Sequence, residues 1–170
     1  MGATARVDKV TRLRQKASDR WRFPERTLHV VDIENLAGAP IPSLIQVNAV
    51  QDWYMARLGF GADDQVVMAS SHLTFLNAAL GWPHARYRVR SGPNGADHEL
   101  LDVLEHEDVA ARFGHVVIGS GDWRFTRAAV SLAERGVRVT VVSRRGSLAA
   151  VLARAAQDVV YLDIPRAAAA

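Results

Sequence analysis

Five side chains in this sequence could do chemistry together: Asp32 and Asn35, then Asp97, then Ser120 and Asp122. Three of them are carboxylates, and carboxylates resist being gathered. At about 5 Å a pair repels by roughly 0.8 kcal/mol at water's dielectric and roughly 3 kcal/mol at an effective value of 20. A site that assembles them needs a cation or raised pKa values. The chain has no cysteine, so no thiolate can serve as ligand or nucleophile. An all-oxygen donor set points to a hard cation, Mg²⁺ or Mn²⁺. Such an ion can clamp a phosphodiester and activate an attacking water.

Each acid also has a plain structural explanation. Asp32 falls at the end of an apolar strand, where a buried unpaired charge costs several kcal/mol, and it could simply cap the loop that follows. Asn94 and Asp97 are spaced as a helix N-cap and its third residue. Against that, Asp97 shares a helical face with Leu100, Leu101 and Leu104 by the three- and four-residue rule, whereas Glu99 and Asp102 fall opposite and read as surface charges. Asp122 follows Ser120-Gly121 at a strand-to-helix junction and suits an N-cap.

The elements that must position these residues alternate strand and helix. Thr27–Ile33 (TLHVVDI) reads as a buried strand, ending in a loop marked by Gly38, Pro40 and Pro42. A helix over Leu44–Leu58 stops at Gly59. Strand Gln65–Ala69 leads to a helix over His72–Leu80, capped by Ser70 or Ser71 and stopped by Gly81-Trp82-Pro83. Strand Ala85–Val89 carries alternating arginines and suits an edge. Helix Ala96–Arg112, strand His115–Ile118, helix Asp122–Glu134, strand Val137–Val142, helix Ser147–Ala156 and strand Val159–Leu162 complete the pattern. This alternation predicts an α/β fold, a three-layer α/β/α sandwich around a mainly parallel sheet of five to six strands. Right-handed crossovers deliver all strand exits to one edge, and ligands bind there where strand order reverses. Three exits then supply one carboxylate each.

Charge and composition frame the partners. Residues 1–26 hold eight cations, among them Arg12, Arg14, Lys16 and Arg20, against three acids, for a net +5; residues 27–170 carry −2. A basic arm on a mildly acidic domain suits a polyanion, or is a solvated leader. No apolar run approaches the ~20 residues of a membrane span. The first twenty residues lack a secretory apolar stretch, so a cytoplasmic protein without membrane partners is expected. Of Trp53, Trp82 and Trp123, at least two are expected in the core.

Other chemistries fare worse. Gly119-Ser120-Gly121 follows Ile118, not the glycine that a nucleophile elbow needs. The six histidines form no HExxH pair, and no GxGxxG follows a strand. An aspartate-nucleophile phosphohydrolase built on Asp32 would want a second Asp where Glu34 stands.

Val30–Asn35 (VVDIEN), Gly95–Leu104 (GADHELLDVL) and Ile118–Phe125 (IGSGDWRF) resemble the three signature segments of NYN domains, a PIN-like nuclease group. Gly136–Leu162 resembles the family's closing strand-helix-strand, so the likeness spans residues 27–163, between the arm and a short tail, 164–170. The resemblance implies that Asp32, Asp97 and Asp122 hold Mg²⁺ or Mn²⁺, that Asn35 and Ser120 shape the site, and that the substrate is RNA. Two positions depart from the family pattern. Arg124 stands where a second acid often follows the first, and Asn94 where a lysine often precedes the turn glycine. The expected function is therefore a metal-dependent endoribonuclease. A catalytically weakened NYN domain that binds RNA or protein is the second reading, and homodimerisation is left open. Arg124 has two orientations available, into the acids as a partial replacement for the ion, or outward to substrate phosphate. If Asp122 and Arg124 are both helical they lie about 200° apart, and the planar guanidinium suits phosphate, so the outward pose is expected.

Overall fold

The computed structural model describes residues 26–164. The arm cations Arg12, Arg14, Lys16 and Arg20 and residues 165–170 lie outside the described residues. Six strands form one sheet: β1 (Thr27–Asp32), β2 (Gln65–Ser70), β3 (Arg86–Val89), β4 (His115–Gly119), β5 (Arg138–Ser143) and β6 (Asp158–Tyr161). All pairings are parallel, in the order β3-β2-β1-β4-β5-β6. Among the described residues there are seven α-helices: α1 (Ile33–Ala37), α2 (Leu44–Leu58), α3 (Phe75–Gly81), α4 (Gly95–His106), α5 (Val109–Arg112), α6 (Thr126–Glu134) and α7 (Ala150–Ala155). This is the expected α/β sandwich, with the sheet at six strands. None of the described helices is long and apolar enough to cross a membrane.

The pleat of β1 distributes its side chains between the two layers. Leu28 and Val30 join a core with Leu100, Val103 and Leu104 of α4, Phe125, and Leu132 of α6. Val31 joins a second core with Val47, Val50 and Tyr54 of α2, and Ala78 and Trp82. By the same period of two, Asp32 belongs to the face that α4 covers and His29 to the face that α2 covers. Strand order reverses between β1 and β4, so the two central strands diverge in their connections at their C-terminal ends and leave a crevice there.

Five elements differ from the sequence expectation; two of them are the helix expected over Asp122–Glu134, which opens as a 3₁₀ turn and is α-helical only from Thr126, and the helix expected over Ser147–Ala156, which starts at Ala150. Residues after Asp32 wind into α1 instead of passing straight into loop, because Asp32 itself caps them: the Asn35 N–H donates to Asp32 Oδ1 at 3.0 Å. Helix α3 starts at Phe75, not His72, because Glu34 captures the preceding turn. Glu34 Oε1 accepts from the Ser71 N–H at 2.8 Å and from the Thr74 hydroxyl at 2.7 Å. The long helix expected over Ala96–Arg112 is two helices, broken at Asp108, whose φ of 49° is left-handed. Trp82 is fully in the core, Trp53 is half-buried against it, and Trp123 is 61% exposed.

Candidate acidic active site

The C-terminal edge of the sheet brings Asp32 and Asp97 together. Asp32 arrives at the end of β1, 6% exposed. Asp97 sits in the first turn of α4, 5% exposed. Asn94 does not act as an N-cap. Its φ is 57°, and its side chain makes no capping bond, so Asp97 is not the far half of a capping pair. Gly95 is required where it stands, because a Cβ there would run into the Arg90 carbonyl. The N-terminus of α4 is thereby held against the β3 exit, with Asp97 turned inward.

Asp32 and Asp97 are neighbours: both line one cleft, and the charge of Asp97 bears on the Asp32 carboxyl. Both are acceptors when ionised, and Asp97 Oδ1 is buried with no hydrogen-bond partner. A proton or a cation is the missing element of that arrangement. Burial pushes the Asp32 carboxyl up to about 7, the Asn35 N–H opposes it, and the charges of Asp97 and Glu34 add to it. Burial, then the charge of Asp122, raises Asp97 above the ordinary carboxylate range, with the Arg124 charge opposing. The pair faces an open cleft of about 350 Å³ whose wall includes Glu34, Asn35, Ser71 and Arg90.

Asp122 is placed differently. It follows β4 in an extended conformation and caps a 3₁₀ turn, Trp123–Phe125. Both of its carboxylate oxygens are engaged by one residue. Oδ1 accepts from the Arg124 N–H at 2.9 Å, and Oδ2 from Arg124 Nη1 at 2.8 Å. The same Nη1 lies 3.9 Å from Asp97 Oδ2. Arg124 therefore points into the acids, against the outward pose expected from the sequence. Asp122 is not helical, so the 200° separation does not arise, and the tight turn folds the Arg124 side chain back over its own cap. Among the described residues no three acidic or imidazole groups converge as a ready metal cage. The structure joins Asp32 to Asp97 and ties Asp122 to Arg124.

Asn35 and Ser120 position backbone. Asn35 Oδ1 accepts the Gly121 N–H at 3.1 Å, stitching the β1 exit to the β4 exit. Ser120 is fully buried, and its Oγ accepts the Asp122 N–H at 3.3 Å. Gly121 has no room for a Cβ, which would meet the Ser147 carbonyl and Ser143 Oγ. Glu34 stands among the residues at the first strand's exit but has no role assigned from the sequence, and Arg90 is not singled out at all, although both line the cleft. The only signal for Glu34 was its place two residues after Asp32. Arg90 follows an edge strand of alternating arginines, which gave no reason to choose it over Arg86 or Arg88.

The oxygen donors that line the cleft and the orphaned, buried Asp97 Oδ1 are of the chemistry that suits a hard divalent cation.

Comparison with known proteins bears on the fold and the family. A crystal structure of a protein of unknown function from Vibrio parahaemolyticus RIMD 2210633 matches with a TM-score of 0.52 at 17% identity, covering 82% of this chain and 93% of that one. That likeness speaks for the fold alone. No curated protein sequence gives a significant match. The NYN domain family profile matches residues 49–163. The matched span contains Asp97, Ser120 and Asp122, while Asp32 and Asn35 precede it. With more than half of its residues matched, this chain belongs to the NYN domain family, whose members have the PIN-like nuclease fold.

Proposed function

We propose that this protein is a divalent-metal-dependent endoribonuclease that cuts RNA at the Asp32–Asp97 pair. The observation that carries the reading is the buried Asp97 Oδ1 without a hydrogen-bond partner, on a residue that lines an open cleft together with Asp32. A bound Mg²⁺ or Mn²⁺ would be held by Asp32 and Asp97 and would supply charge to the scissile phosphate and to an attacking water. Asp122 would complete the set once Arg124 releases it. Without the ion, burial raises the Asp32 carboxyl to about 7, so binding the cation at neutral pH would release a proton from it. Arg90, on the cleft wall with its side chain more than half exposed, suits a phosphate of the substrate. Asn35 and Ser120 keep the β1 and β4 exits in register, so the acids do not drift apart.

One observation favours a second reading. Arg124 takes both oxygens of Asp122. A site with one acid neutralised in this way describes a weakened NYN domain that binds RNA and cleaves it slowly. Incubating the pure protein with labelled single-stranded RNA, with Mn²⁺ or EDTA, separates the readings. Cleavage that EDTA abolishes supports the nuclease. Tight binding without cleavage supports the binding module. Hydrolysis of small phosphomonoesters, with RNA untouched, would overturn both in favour of an aspartate-nucleophile phosphohydrolase.

A further inference from the structure

Trp123 is an expensive residue to leave in water. Its neighbours show that the core does not need it there. Phe125, two residues on, is fully buried and anchors the same turn, and Trp82 supplies the core's indole elsewhere. Trp123 nevertheless stands 61% exposed beside the acids. Its backbone is fixed: the Thr126 hydroxyl donates to its carbonyl at 2.6 Å, and the Phe125 N–H donates to the Asp122 carbonyl at 3.3 Å. Its ring is oriented from one side by the Arg124 guanidinium, 5.3 Å from the ring centroid. Arg124 is in turn locked on Asp122 and lies 3.9 Å from Asp97. Ring, guanidinium and carboxylate thus form one continuous chain of contacts into the site.

We infer that Trp123 is a stacking platform for an unpaired nucleobase next to the scissile phosphate. The inference rests on the nuclease reading above and adds to it a residue that would hold a base. A rigid indole on a fixed turn loses little freedom on binding, which favours stacking. Any base offers a π-face, so the preference is for single strands and not for a sequence. In a duplex both faces of each base are covered by its neighbours, and Trp123 has nothing to stack on. Arg90 lines the cleft with Asp97, and Trp123 is linked to Asp97 through Arg124, so a phosphate on the one and a base on the other would both lie near that acid.

The test is equilibrium binding in EDTA, which blocks metal-dependent cutting, using a labelled single-stranded RNA 12-mer, its perfect duplex, and 12-mers with one abasic nucleotide at successive positions. Trp123→Ala is expected to weaken single-strand binding about tenfold, in the range for losing one base stack. Trp123→Phe should stay within about threefold of wild type, since a smaller ring still stacks. Duplex binding should not change in either variant. At one abasic position the wild type should lose as much as Trp123→Ala loses on the intact strand, and the variant should lose nothing further there. Thermal melting checks that both variants fold. Single-strand binding by Trp123→Ala within twofold of wild type would overturn the inference, as would an equal loss on the duplex. Either result, with wild-type cleavage intact, leaves the nuclease reading standing. A wild-type protein that neither binds nor cuts RNA overturns both.

Discussion

Two buried titratable residues sit three positions apart on β1, and their surroundings could hardly differ more. His29 lies on the α2 face, 2% exposed, stacked on Phe60 at 4.4 Å between centroids and edge-on to Tyr54. Tyr54 Oη is 3.0 Å from its Nδ1, and Asp64 Oδ2 is 3.9 Å from its Nε2. Burial pulls it down to about 4, with the charge of Asp64 opposing. Asp32 lies on the other face, is raised by burial to about 7, and opens onto a cleft beside a second carboxyl. Each centre holds a buried side-chain atom without a hydrogen-bond partner, His29 Nε2 in one and Asp97 Oδ1 in the other. A shifted pKa therefore does not mark a site by itself. What separates the two is access, and like charges brought together where substrate can reach them.

The largest expected effect breaks this contrast at its functional end. Asp32→Asn should lower Mn²⁺-dependent RNA cleavage by at least about 100-fold, as loss of a group that handles a proton or holds the ion does. His29→Gln should leave the rate within a few-fold of wild type. Single-turnover rates on one RNA, with melting curves as the fold control, check both.

The pH dependence of stability should split the two residues in opposite directions. The raised carboxyl of Asp32 contributes stability that is full below about pH 4 and is lost as pH rises through about 7. The depressed imidazole of His29 contributes stability that is full above about pH 6.5 and is lost as pH falls toward about 4. At about 1.4 kcal/mol per unit of separation, the contributions are of order 4 and 3 kcal/mol. In EDTA, Asp32→Asn should therefore be more stable than wild type at pH 8, and His29→Gln should flatten the acid limb. Urea unfolding from pH 4 to 8 measures this. Parallel curves for wild type and Asp32→Asn would mean that Asp32 is not held protonated by its surroundings.

Arg124 sharpens the comparison inside the site. Because its guanidinium occupies Asp122 Oδ2, Arg124→Ala should tighten Mn²⁺ binding several-fold, and Arg124→Asp more, by calorimetric titration. Unchanged affinity in the alanine variant would show that the ion pair does not compete with metal. The smallest effect concerns the arm. Deleting residues 1–25 should flatten the salt dependence of RNA binding, by about 0.7 in log–log slope for each phosphate the arm no longer neutralises. An unaltered slope would reduce the arm to a solvated leader.

Much of this was legible in the residues. The apolar β-branched runs marked six strands to within a residue or two, and Leu44–Leu58 between Ser43 and Gly59 was readable from its stop signal. The burial of Asp32 and Asp97 was legible because each sits on a core-facing position of its element, where a solvated acid is out of place. What stayed hidden depends on groups distant in sequence. The start of α3 is set by Glu34 reaching Ser71, 37 residues away. The inward turn of Arg124 depends on the extended backbone of Asp122, which helical periodicity could not anticipate.

The most direct test is Mn²⁺ titration of the wild type, Asp32→Asn, Asp97→Asn and His29→Gln by calorimetry at pH 8. If the Asp32–Asp97 pair is the cation-binding centre, wild type and His29→Gln bind one ion alike, and each aspartate variant binds it at least about tenfold more weakly. Wild-type affinity in both aspartate variants would contradict it, and the reactive centre would have to lie elsewhere on the sheet edge.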